Sequence, residues 1–241
     1  FFAFIPFFRG KALLRFCKPR FSFAMIRQIV ACGSPNFLNN VARRITSIIM
    51  NAILVRTGGE TAVSVYGILM YVDGFVQPLL YGMCDSLQPA VGYNWGAQKF
   101  TRVRAIEKYC FIASGIVSIA AVFVIALLPE PITKLFVPEA GLDVLTLSVG
   151  ALQLFSLTYI TRWVSFATQS YMLAIEKSLS ASIISVSTAL IFPVILICAL
   201  WPLGLTGIWL NFAGTSLLAA ILSLIILYRL RGELRRPDAA I

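Results

Sequence analysis

Apolar residues run through this chain in blocks too long for a soluble core. Residues 109–129 carry no charge, and neither do residues 178–228. A membrane-crossing helix needs about 20 predominantly apolar residues, so the second run is long enough for two. Glycine, proline and charge breaks divide the whole into six predicted helices, about 23–55, 61–93, 106–128, 143–174, 179–200 and 205–229. The first, second and fourth exceed what a bilayer requires and are expected to tilt or project beyond it. The connections are short. "RTGGE" (56–60) reads as a Gly-Gly turn, "PEPITKLFVPEAGLD" (129–143) is Pro-rich, "EKS" (176–178) is minimal and "WPLG" (201–204) is a Trp-Pro-Gly break. The expected fold is an all-α integral membrane protein, a six-transmembrane-helix bundle over 23–229. A cytoplasmic linker (1–22) precedes it and a cytoplasmic tail (230–241) follows.

Polar residues interrupt three of these helices with a helical period. In the first, Asn36, Asn40, Arg43 and Asn51 fall near one face, with Asn39 and Arg44 beside it. In the second, Tyr66, Met70, Asp73, Gln77, Tyr81, Asp85 and Gln88 recur every three or four residues, and in the fourth Tyr159, Arg162, Phe166 and Gln169 do the same. A charge in the hydrocarbon region costs at least about 2.5–3.5 kcal/mol, so it usually faces a cavity or a partner. Arg43 precedes the outer end of the first helix by as many residues as Asp73 follows the start of the second. At 1.5 Å per residue both lie roughly 18 Å below the turn, which predicts an Arg43–Asp73 pair. Asp85 lies deeper, with Arg162 as its expected partner. Two readings stay open for these stripes: static interhelical pairs, worth about 1–2 kcal/mol or less each, or the lining of a pathway, the reading favoured for Arg43, Asp73, Asp85 and Arg162. Gly115, Gly207 and Gly214 read as close-packing positions, and Pro193 as a kink.

Composition narrows the chemistry. Of 241 residues only 12% are charged, yet the formal net charge is +10. With the N-terminus inside, most of the twenty cations fall in cytoplasmic segments, including Lys99, Arg102, Arg104, Lys108, Lys177 and Arg229. The outer segments hold only Arg56 and Lys134, beside Glu60, Glu130, Glu139 and Asp143. This is the positive-inside asymmetry of a membrane protein, and it leaves nucleic-acid binding unnecessary. There is no histidine, and the five cysteines are scattered, so no metal site or disulfide framework is expected. An enzyme is disfavoured for the same reasons: no carboxylate cluster stands at metal spacing, and no Ser or Cys has an evident base.

The stretch "QPAVGYNWGAQKFTRVRAI" (88–106) joins the second and third predicted helices. Its Gln88-Pro89, Gly92-Tyr93-Asn94, Gly96-Ala97 and Arg102-Val103 resemble, in order, the cytoplasmic connection after the second helix of a lobe in the multidrug and toxic compound extrusion (MATE) transporters. "GSPNFLNN" (33–40) resembles the opening of the first helix of their C-terminal lobe, "LFSLTYITRWVSFATQSYMLAIEKS" (154–178) their fourth helix and "GLTGIWL" (204–210) the start of their sixth. The resemblance covers nearly the whole chain from about residue 20. It implies one lobe of a twelve-helix, two-lobed transporter, with an N-terminal six-helix lobe missing here. It also implies export of amphipathic, often cationic, compounds in exchange for H⁺ or Na⁺, with no cofactor. In the NorM-type branch, carboxylates of the first and fourth helices of this lobe take part in cation coupling. The matching positions here are Arg43 and Arg162, which can neither bind Na⁺ nor release a proton. The chain therefore looks nearer the DinF- or MepA-like branches.

The expected function is a secondary antiporter of the bacterial plasma membrane, both ends of the segment cytoplasmic. Its substrates would meet Tyr66, Met70, Tyr81, Tyr159, Phe166 and Gln169, with Arg43, Asp73, Asp85, Arg162, Asn40 and Gln77 along the pathway. The excess of arginine over acid in these stripes also admits an anionic or zwitterionic substrate. A lipid-linked saccharide flippase and a non-transporting scaffold are the alternatives. The 88–106 stretch is expected to anchor orientation rather than touch substrate. Its cations hold the cytoplasmic face, Tyr93 and Trp95 sit at headgroup level, and Gly92 and Gly96 make the turn.

Overall fold

The structure, a computed structural model, describes residues 22–138 and 141–234. The expected linker, apart from its last residue, lies outside them, as do the end of the tail from 235 and Glu139; the side chain of Asn36 is not described either. The chain divides into two compact units, 1–31 and 32–241. In the first, helix begins at Phe23. All that follows concerns the second.

Every element among the described residues is helical. α1 (Phe23–Asp85), α2 (Leu87–Gly96), α3 (Phe100–Leu127) and the short α4 (Pro129–Phe136) come first. α5 (Leu142–Ser156), α6 (Thr158–Ala174), α7 (Ser178–Val186), α8 (Phe192–Leu200) and α9 (Gly204–Leu234) follow. Two apolar stretches, Phe37–Gly96 and Ser178–Leu230, span 60 and 53 residues. At 1.5 Å per residue each would be about 80–90 Å long, near three bilayer cores, so each must double back. It does so at a glycine. Gly59 (φ 62°, ψ −156°) breaks α1, and Gly204 (φ 60°, ψ −137°) opens α9. That backbone region is open essentially to glycine alone, so one residue suffices where a five-residue turn is expected from "RTGGE". The arms of α1 run antiparallel on either side of Gly59, for Asn39 reaches Tyr81 and Arg43 reaches Asp73. With α3, the α5–α6 pair bent by 43° at Leu157, and the α7–α8 rod, these make the expected six-helix bundle.

The two breaks pack on each other. A Cβ on Gly58 would sit 2.9 Å from Leu205 Cδ2, and one on Gly207 would sit 2.2 Å from the Leu200 carbonyl oxygen. Small residues let helices approach in lipid, where no hydrophobic force drives them together. Gly214 against Leu196 and Gly115 against the Trp163 ring follow the same rule, as the sequence suggests. The outward surface is apolar, with Phe75, Ile116 and Leu179 exposed, while the interior holds both apolar clusters and polar side chains.

The cytoplasmic turns expected from the loops differ in detail. Gly92 and Gly96 are helical within α2, and the left-handed residue is Gln98 (φ 55°). Glu176 (φ 62°) does the same after α6. In both turns the next residue's N–H reaches back five residues, Lys99 to the Asn94 carbonyl at 2.9 Å and Lys177 to that of Met172 at 2.8 Å. This is the Schellman arrangement that closes a helix end. A side chain is tolerated at the left-handed position because these bonds hold it. Gly92 has another use: a Cβ there would meet the Ala174 carbonyl at 3.5 Å, so α2 lies close to the end of α6. Tyr93 and Arg102 are exposed, Asn94 donates to the Ala90 carbonyl, and Trp95 packs edge-on against Phe100.

Pro193 shapes the fifth rod. Proline has no N–H, so the carbonyl four residues earlier, that of Ala189, lacks its helical donor. The chain widens into a π turn over Ser187–Ile191, and the Thr46 hydroxyl donates to the Ala189 carbonyl at 2.6 Å. Asn211 of α9 donates to the carbonyl of Pro193 itself at 3.0 Å. The kink expected at Pro193 is thus bridged to the first and sixth rods.

Candidate functional site

The three stripes converge on Asp73, a residue only 4% exposed. Its Oδ2 accepts from Arg43 Nη2 at 3.2 Å, and its Oδ1 accepts from Arg162 Nη1 and the Tyr159 hydroxyl, both at 2.8 Å. Arg43 also donates to Gln77 Oε1. One carboxylate is therefore held by two guanidiniums and a phenol from the first and fourth rods. A buried acid needs such partners, because leaving it unpaired would cost several kcal/mol. Arg162 is further held between rings, its Cζ lying 5.7 Å from the Tyr159 centroid and 5.3 Å from that of Phe166. The bend at Leu157 and a hydrogen bond from Ser118 of α3 to the Tyr159 carbonyl fix this part of α6.

The Arg43–Asp73 pair is the one predicted by counting from the turn. The expected Asp85–Arg162 pair is not formed. Arg162 turns to Asp73 instead, and Asp85 accepts from Ser170 and, at 2.8 Å, from Gln88. The reason is register: Ser170 is the residue of α6 that lies opposite Asp85, and the eight residues between it and Arg162 span about 12 Å, which puts Arg162 level with Asp73.

Beside this cluster lies a cavity of about 460 Å³. Asn40, Arg43, Tyr66, Met70, Asp73, Gln77 and Arg162 line it, as the stripes suggest. Tyr81, Phe166 and Gln169 belong to an adjoining pocket of about 50 Å³ that shares Arg43 and Arg162. There Tyr81 stacks on Phe166 at 4.2 Å and accepts from Asn39. Sequence reasoning misses the far wall, made by Thr188, Ala189 and Pro193 of the fifth rod with Asn211, Phe212, Thr215 and Ser216 of α9. Asn211 and Thr215 stand four apart and are bonded at 2.9 Å, a faint stripe in an apolar run. Serines and threonines give a weak signal in such runs because they commonly bond their own helix, as Ser216 does with the Ala213 carbonyl.

Residues 35–198 match the MatE family model, and the chain belongs to that family. Multidrug export protein MepA of Staphylococcus aureus (strain MSSA476) is 24% identical over 212 residues, which are 87% of this chain and 46% of that protein. The MATE multidrug transporter DinF-BH, solved as a complex, superposes with a TM-score of 0.84 at 26% identity, over 98% of this chain and 53% of the other. A MOP superfamily transporter from Pyrococcus furiosus Vc1, whose binding pocket is described as having reverse polarity, suggesting a different function, superposes with a TM-score of 0.86. At 18% identity, covering 98% of this chain and 53% of the other, it shares the fold. The chain thus spans about half the length of the relatives it matches.

Proposed function

We propose that this chain is the C-terminal half of a multidrug efflux transporter in a bacterial plasma membrane. One observation carries the reading: a buried acid and two arginines from three rods border a cavity large enough for a small amphipathic molecule, in a chain of the MatE family. The relatives named above as multidrug exporters or transporters support it. The complete protein has a second six-helix lobe, and the cavity opens to each side of the membrane in turn. Both ends of this segment lie in the cytoplasm, following the cations of the two Schellman turns and of α9. Export is coupled to H⁺ or Na⁺, and no cofactor or enzymatic step is involved.

Within the cavity the coupling ion has no ready carboxylate. Both oxygens of Asp73 are occupied, and the exposed Asp85, engaged at Oδ1 by Ser170 and Gln88, lies outside the lining. Asp73 serves instead as the hub that positions Arg43 and Arg162, and the ion binds in the missing half. Arg43, the more exposed partner, releases Asp73 first when the rods move.

Retention of fluorescent dyes by cells expressing the complete gene tests this reading, with and without an uncoupler or a Na⁺ gradient. Extrusion above the empty-vector level that stops when one of the gradients is dissipated is expected. Retention equal to the vector control, with the protein inserted, would refute it.

A further inference from the structure

The charge of the cavity points to a class of substrate. Its wall carries three guanidiniums, from Arg43, Arg44 and Arg162, against the single carboxylate of Asp73. That carboxylate is already satisfied by three donors, so a cation gains nothing from it without displacing an arginine. Arg43 commits one nitrogen, Nη2, to Asp73 and Gln77, while a guanidinium has five N–H donors. Its side chain is 38% exposed, so the remaining donors are within reach. The lining also carries apolar and aromatic side chains, Met50, Met70, Phe155 and Phe212, with Tyr66 stacked on Phe212 at 6.2 Å, interspersed with polar ones such as Asn40, Ser47, Gln77 and Asn211.

We propose that the cavity binds an amphipathic organic anion, its carboxylate or sulfonate on Arg43 and Arg44 and its apolar body against Met50, Met70, Phe155 and Phe212. The proposal rests on the transporter reading for its purpose and reverses the sign expected of the family's substrates. An excess of two fixed positive charges attracts an anion and repels a cation, although solvent at the exposed Arg44 and the partly exposed Arg43 screens both effects. Arginine suits the task because its planar fork meets a carboxylate with two parallel bonds. The methionines adapt to varied apolar bodies.

The test uses the complete protein purified in detergent and two probes that share one fluorophore. Dansylglycine carries a carboxylate, and dansyl ethylenediamine carries an ammonium group. Fluorescence titration is expected to give at least tenfold tighter binding of dansylglycine. Arg44→Gln should bring the two probes to within about threefold of each other, and Arg44→Lys, which keeps the charge, should retain most of the preference. Tighter binding of the amine overturns the proposal, as does an anion preference unchanged in Arg44→Gln, or no binding of either probe. Because the titration needs no gradient, it separates this proposal from the transport reading: a protein that binds the anion and moves nothing defeats only the latter. Displacement of dansylglycine by phosphatidylglycerol would mark the anion as a lipid headgroup, and displacement only by soluble carboxylates would mark it as a free solute.

Discussion

The two arginines on Asp73 should differ sharply in what their loss costs. Arg43 has a side chain 38% exposed and meets Asp73 at 3.2 Å, whereas Arg162 is 15% exposed and meets it at 2.8 Å. An exposed pair is screened by solvent and is worth about 0–1 kcal/mol. A buried pair broken from one side costs about 3–5 kcal/mol. Arg162→Gln also removes two ring contacts, each worth about 0.5–2 kcal/mol, although the cost is lowered because Arg43 and Tyr159 still serve the carboxylate. Arg162→Gln is therefore expected to destabilise by about 3–4 kcal/mol and Arg43→Gln by about 1 kcal/mol or less. For a domain of this size that corresponds to melting shifts of roughly 6–16 °C against 4 °C or less. The assay is the thermal midpoint of the purified complete protein in detergent, followed by size-exclusion recovery after heating. Equal losses in the two variants, or a larger loss for Arg43→Gln, would refute the asymmetry and with it the hub role of the Asp73–Arg162 pair.

Three further outcomes follow from local geometry. Gly207→Ala should destabilise by about 1–3 kcal/mol through overpacking, since its Cβ would meet backbone at 2.2 Å; Gly82→Ala, with nothing within 4 Å, serves as the neutral control in the same thermal scan. Thr46→Val should cost about 1–3 kcal/mol by orphaning the Ala189 carbonyl at the π turn, while Thr46→Ser keeps the bond and the melting midpoint. Gln98→Gly should stabilise by about 1 kcal/mol and raise that midpoint, because glycine adopts the left-handed backbone (φ 55°) without the penalty borne by other residues.

How much of this was legible in the sequence depended on which rods share a turn. The Arg43–Asp73 pair could be counted from Gly59 because both arms leave one turn and stay regular to that depth. Arg162 was assigned to the wrong acid, since no single turn joins the fourth rod to the second and its depth had no shared origin to count from; Tyr159 opposite Asp73 and Ser170 opposite Asp85 set that register. Pro193 did announce a kink, yet the π turn it causes, and the Thr46 and Asn211 bonds that repair it, depend on rods distant in sequence. The same distance hid the α9 wall of the cavity. Glycine was an uneven guide. It marked the breaks at Gly59 and Gly204, where ψ admits little else, but at the turns after α2 and α6 the backbone bonds of the Schellman ends place Gln98 and Glu176 in the left-handed region instead.

The claim that the cavity beside Asp73 is a transport path can be met head-on by labelling. A single cysteine at Ser47, on the cavity wall, would be introduced into the complete protein with its native cysteines replaced. A membrane-impermeant thiosulfonate would then be applied from outside in intact cells and from inside in everted vesicles. Labelling from both faces, slowed from both by a bound substrate, is the predicted result. Labelling from one face alone, or equal labelling whether or not substrate is present, would contradict it.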